Sequence, residues 1–132
     1  MNLIPGTIVQ IDFGFYKHPG IVSDRNMNSM PMVISNSFRK RGVYEELWDD
    51  FSNGKEVEIS GYSGTLPPEE VLSRARSKIG TRWNLLWWNC EHFINWSHGL
   101  KPRSPQVRSY AAYTIAIAGL AVLLSKGRSN AA

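Results

Sequence analysis

The sequence predicts an α+β domain, a small antiparallel sheet packed against helices. Short β-branched and apolar runs, separated by polar turns, fill the first half of the chain, and two capped helical patterns follow before residue 100. There is a single cysteine, Cys90, so the fold is held without an internal disulfide, as suits a reducing compartment. With 132 residues, 42% of them apolar and 20% charged, the chain suffices for one domain with a true core. Disordered and fibrous classes are excluded.

The elements follow in order. Residues 7–13 (Thr-Ile-Val-Gln-Ile-Asp-Phe) read as a first strand, and residues 18–23 as a second, with a polar turn over 24–29. Residues 32–35 make a third strand, and residues 56–60 alternate polar and apolar as a half-buried strand does. Residues 43–52 read as a short helical turn ahead of Asn53-Gly54. Pro67-Pro68-Glu69-Glu70 opens a helix with proline and acids in its first turn. Val71, Leu72, Ala75 and Ile79 share its inner face, and Gly80 stops it. A second helix is predicted over residues 89–98, with Asn89 as N-cap and Gly99 past its end. Phe93 and Ile94 share a face with Cys90, which places the thiol in the first turn, directed inward.

Charge divides the chain unevenly. Residues 1–98 carry ten Lys/Arg against eleven Asp/Glu, whereas residues 99–132 carry five basic residues and no acid. The body has no cationic excess for nucleic acid, so no nucleic-acid partner is expected. Residues 1–100 are predicted as the domain, 101–108 as a basic, proline-containing linker, 109–126 as an apolar helix and 127–132 as a tail. The uncharged stretch 110–124 would extend about 22 Å as a helix, against a hydrocarbon core of roughly 30 Å. Two readings stand: a helix docked on the domain, or a membrane anchor. Its all-round apolarity and the flanking Lys126 and Arg128 favour the anchor. The N-terminus has no basic region followed by a long apolar run, so no secretion signal is read there. The expected location is the cytoplasmic side of a membrane.

Cys90 is the candidate nucleophile. As a small residue it could simply be buried. Yet the free backbone N–H groups of a helix start would lower its pKa and favour the thiolate. His18, on a strand far away in sequence, could meet it across a strand–helix interface as a base. His92 points away from the thiol on a helix, and His98 lies at the helix end, where an imidazolium suits the dipole; both read as structural. Ligands would diverge around the helix and no second thiol exists, so neither a metal nor a cofactor is expected.

The residues carry a resemblance. Asn-Cys-Glu-His-Phe at 89–93 resembles the cysteine motif of the lecithin retinol acyltransferase family, particularly the small H-Ras-like suppressor phospholipase/acyltransferases. Phe15-Tyr16-Lys17-His18 is similar to the family's histidine run, and Ser104-Pro105-Gln106-Val107-Arg108 to its Ser-x-Gln-Val-Arg segment. The resemblance implies a circularly permuted papain-like fold, with the histidine strand ahead of the cysteine helix. It implies Cys90 as nucleophile, His18 as base and Tyr16 as a helper at the oxyanion, a task that backbone N–H groups near Cys90 could also perform.

One position departs from the family. Its third catalytic residue is usually histidine, and the aligned residue here is Ser35, followed by Asn36. Strand alternation puts these two on opposite faces, so only one can support His18. The expected function is a membrane-associated thiol acyltransferase or phospholipase A acting on glycerophospholipid acyl esters, with a phospholipid and a membrane surface as partners. Two alternatives remain: a catalytically weakened, membrane-tethered adaptor module, and a papain-like thiol peptidase or amidase.

Overall fold

The computed structural model describes residues 3–101 and 104–109. Five strands, β1 (Ile8–Asp12), β2 (Lys17–Met27), β3 (Met30–Ser37), β4 (Gly42–Glu46) and β5 (Val57–Gly61), form one antiparallel sheet in the order β4-β3-β2-β1-β5. Helices α1 (Trp48–Ser52), α2 (Pro68–Ser77) and α3 (Cys90–Ser97) accompany it. The predicted α+β class is the one observed. The apolar segment 110–124 and the tail 127–132 lie outside the described residues.

Period-two alternation divides the core between the two faces of the sheet. Ile8, Ile21, Ile34 and Val43 point to one face, where Val71, Leu72 and Ala75 of α2 and Phe93 and Ile94 of α3 cover them. Val9, Ile11, Val22 and Val33 point to the other, where Phe51 of α1 packs. Gly20 is required between them. A Cβ there would lie 2.5 Å from Val33 Cγ1 and 2.8 Å from Phe51 Cε2, so glycine is what lets α1 close over β2 beside His18. On the far side Arg76 of α2 reaches Ser23, Asp24 and Glu45, tying the helix to β2 and β4.

Three elements differ from their sequence prediction. Residues 24–27, expected as a turn, continue β2, and the chain reverses at Asn28 and Ser29, both with positive φ. Two successive left-handed residues are the signature of a tight hairpin, so this polar ladder extends past the core. Of residues 43–52, expected as a helical turn, only Trp48–Ser52 are helical, and 43–46 lie in β4: Val43 is fully buried and Tyr44 pairs with Ser35, and this sheet partner decides a short ambiguous run. Ile79 is exposed, because α2 ends at Ser77 before that residue can share its inner face.

The segment predicted as a linker is partly ordered against the body. Residues 105–109 are helical. Ser104 caps them, its hydroxyl accepting from Val107 N–H at 3.3 Å, and Pro105 takes the first position, where its missing N–H costs nothing.

Candidate active site

The cysteine is placed by a tightly bonded loop. Asn89 caps α3, its side chain accepting from the N–H groups of Glu91 and His92 at 3.0 and 3.2 Å. His92 completes the box, its Nδ1 accepting from Asn89 N–H at 3.0 Å. Asn89 Nδ2 donates back to Leu85 O at 2.9 Å. Asn36, reaching from β3, donates to the carbonyls of Trp88 and Asn89 at 2.8 and 3.2 Å. Asn36 therefore braces the turn that carries Cys90. Each carbonyl keeps a backbone donor, Asn84 N–H at Trp88 O and Phe93 N–H at Asn89 O, so Asn36→Ala is expected to lower stability by about 1 kcal/mol per bond lost, measurable by denaturant unfolding.

A cleft of about 510 Å³ opens where β2 begins and β3 ends, so groups from both faces of the sheet reach it. Cys90, His18 and Tyr16 all line it, together with Phe13, Phe38, Phe51 and Trp83. His18 lies opposite Ile11 on the α1 face, its ring 5.4 Å from that of Phe51. Tyr16 stacks on Phe13 at 5.0 Å between centroids. A largely apolar cavity of this size with a few convergent polar groups is the usual form of a small-ligand site.

Electrostatics overturn one expectation. Burial, reinforced by the carboxylate of Glu91, pushes the Cys90 thiol up to about 12, and the backbone N–H groups of Glu91 and Cys90 only partly oppose this. The helix start does not produce a resting thiolate, because loss of solvent outweighs the dipole. Burial, with the nearby Arg39 cation, pushes His18 down to about 4. The resting pair is thus a neutral thiol and a neutral imidazole able to accept a proton. Burial and the neighbouring Cys90 raise the Tyr16 phenol, against a smaller opposing effect of Arg39, so its O–H remains protonated and able to donate.

The structure places Ser35 and Asn36 on opposite faces. Ser35 does not line the cleft; its hydroxyl donates to Glu46 Oε1 over a long 3.4 Å, with the other carboxylate oxygen 2.7 Å from Lys40 Nζ. Glu46 and Arg39 do line the cleft, and sequence reasoning missed both. Glu46 pairs with Val33 and so shares the His18 face of the sheet; reading residues 42–46 as an alternating strand would have revealed it. His98, expected as an imidazolium, is buried, and burial lowers its pKa despite the favourable contact with Gly6. Its Nε2 bonds Gly6 O at 2.9 Å, so it is a neutral donor joining the end of α3 to the strand entry.

A clamp joins the two halves of the site. Gln106 Oε1 accepts from Lys17 N–H, and its Nε2 donates to Lys17 O, both at 3.0 Å, next to His18. Gln106 N–H also donates to Glu91 Oε1 at 3.1 Å, and Ser104 Oγ donates to the same oxygen, next to Cys90. Gln106→Ala is expected to slow reaction of the Cys90 thiol roughly 10-fold through misalignment of the strand that carries His18 and the helix that carries Cys90. Single-turnover kinetics beside a thermal melt check this, since the bonds lost are exposed and the melting temperature should barely move.

The lecithin retinol acyltransferase family profile matches residues 2–101. The chain belongs to that family. Similar proteins are lecithin retinol acyltransferases: that of Rattus norvegicus is 27% identical over 115 residues, covering 83% of this chain and 48% of that protein. That of Mus musculus is 35% identical over 68 residues, covering 47% of this chain and 29% of that protein. That of Bos taurus is 35% identical over 78 residues, covering 54% and 34% respectively. This family member thus spans about half the length, or less, of these curated relatives.

Proposed function

We propose that this lecithin retinol acyltransferase family member is a thiol acyltransferase or phospholipase A that acts on glycerophospholipid acyl esters through an acyl-thioester on Cys90. The observation that carries the reading is the convergence of Cys90, a neutral His18 and the Tyr16 hydroxyl on one apolar cleft. The histidine strand lies ahead of the cysteine helix in the chain, the order a permuted papain-like fold has. In the first step His18 takes the thiol proton as sulfur attacks the acyl carbonyl. Tyr16 O–H and the Cys90 backbone N–H, which the Asn89 cap leaves unengaged, are the donors for the resulting oxyanion. The ester C–O bond then breaks, and the departing glycerol oxygen takes the proton from His18. In the second step water or an acceptor hydroxyl or amine gives its proton to His18 and attacks the thioester. The C–S bond breaks and the proton returns to sulfur.

The basic C-terminal quarter, with the apolar stretch 109–126, is proposed as an anchor on the cytoplasmic side of a membrane. Intact-mass analysis after exposure to phospholipid vesicles tests the chemistry. An added fatty acyl mass on the wild-type chain, absent from Cys90→Ala, is the expected result. A second reading, a membrane-tethered module with weakened catalysis, is favoured by the commitment of the Ser35 hydroxyl to Glu46. No acyl mass and no fatty acid release at matched folding would select it.

A further inference from the structure

We infer that the face around the cleft mouth is itself a docking surface for anionic phospholipid bilayers, seated through the loop at residues 82–88. The loop presents three consecutive large apolar side chains to solvent: Leu85, Leu86 and Trp87 are 55%, 57% and 77% exposed. Phe38, 67% exposed, meets the ring of Trp83 at 4.8 Å, so the patch continues across from the end of β3. Phe38, Trp83 and Leu85 line the cleft as well, which makes the apolar surface continuous from the outer tip into the cavity that holds Cys90. Contiguous exposed apolar surface of this kind marks a contact with a partner or a membrane.

The tip is preorganised. Asn84 Oδ1 accepts from the N–H groups of Leu86 and Trp87, both at 3.0 Å, and Asn84 and Trp88 exchange backbone bonds at 2.8 and 3.0 Å. Trp88 Nε1 donates to Thr81 Oγ1 at 2.9 Å, and Asn89 holds Leu85 O. Such a loop loses little freedom on binding.

Charge selects the occupant. Residues 38–41 (Phe-Arg-Lys-Arg) and 82–88 contain four cations and no acid. The two segments are neighbours, joined by the Gly42–Arg82 bridge and by Trp83 N–H donating to Arg41 O at 3.2 Å. Lys40 is paired with Glu46 and Arg39 donates to Asp50 O at 2.9 Å, a neutral carbonyl, so Arg39, Arg41 and Arg82 carry the positive charge of the rim. Tryptophan and leucine at the tip with arginines set around them is the composition of an interfacial membrane contact. Seated this way, the cleft mouth faces the lipid, and an acyl ester can enter without crossing water. The purpose of the surface rests on the acyl-ester reading of the cleft, but its existence does not.

The test uses the full chain with Cys90→Ser, so that Leu86→Cys can carry one environment-sensitive fluorophore. Vesicles of phosphatidylcholine with about 30% phosphatidylserine should shift its emission to the blue and allow quenching by a nitroxide lipid. The same label at Glu70→Cys, exposed on α2, should stay aqueous. Affinity should fall about 10-fold or more on vesicles without phosphatidylserine. In the otherwise native chain, Leu85→Ser, Leu86→Ser and Trp87→Ser together should weaken vesicle binding by roughly 100-fold. A label at position 86 that stays aqueous while the chain is vesicle-bound overturns the inference. So does a shift that needs no vesicles and grows with protein concentration, which would make this face a contact between copies. Because Cys90 is replaced in the labelled chain, these outcomes are independent of whether the enzyme reading holds.

Discussion

Cys90→Ala is expected to remove acyl transfer and ester hydrolysis almost completely, by roughly 10³-fold or more, while the fold persists. The thiol is the only cysteine in the chain, and among the described residues no other side chain that lines the cleft is a soft nucleophile. The α3 cap and the bracing by Asn36 involve other atoms, so the helix start survives the substitution. Cys90→Ser should be nearly as inactive, since burial that holds a thiol at about 12 holds an alcohol firmly protonated. The same burial sets the behaviour of the resting wild type. Alkylation of Cys90 by iodoacetamide should be slow at pH 7 and climb as pH rises from 9 toward 12. Its linkage to stability has a definite sign. Above pH 9 the unfolded thiol ionises and the folded one does not, so this group costs stability as pH rises through that window. Vesicle hydrolysis at the wild-type rate by either variant would remove Cys90 from the mechanism.

Much of this site was legible in the sequence because local rules act on it. Asn89 before an apolar run is a capping signal, and the cap does form, setting Cys90 in the first turn. The strand of residues 7–13 was readable from its β-branched and apolar mix and that of residues 56–60 from its alternation, although edge strand β5 is less buried than that alternation suggested, Ile59 being 63% exposed. What was not legible depends on contacts distant in sequence. Residues 42–46 have no strong period of their own; β3 makes them a strand, and only then does Glu46 come to the cleft. The Cys90 thiol shows the same limit in energetic form. The helix start is a local feature and visible, whereas the burial that outweighs it comes from packing of distant segments. The role of Asn36 was hidden likewise, because its partners lie more than fifty residues away.

His18→Gln is expected to lower acylation of Cys90 by about 10²–10⁴-fold, the usual contribution of a positioned base. Its pH signature separates chemistry from structure. The folded His18 sits near 4, and its ordinary value is 6.5, with burial the larger cause and Arg39 the smaller. Below pH 6.5 the unfolded chain gains a proton that the folded chain refuses, so stability falls as pH drops from 6.5 toward 4. Across that window the loss from this one group is on the order of 3 kcal/mol. His18→Gln should erase that part of the acid slope; His92 and His98, both also lowered by burial, leave a remainder. The catalytic profile should follow the same group. Wild-type acylation at pH 5.5 should nearly equal that at pH 7, because the base stays unprotonated until about pH 4. Arg39→Gln, by removing the cation that opposes the imidazolium, should move the acid limb upward. Denaturant unfolding between pH 4 and 7, paired with single-turnover acylation over the same range, measures both effects. An acid limb centred near 6.5 in the wild type, or a His18→Gln chain that acylates at the normal rate, would place the base elsewhere in the cleft.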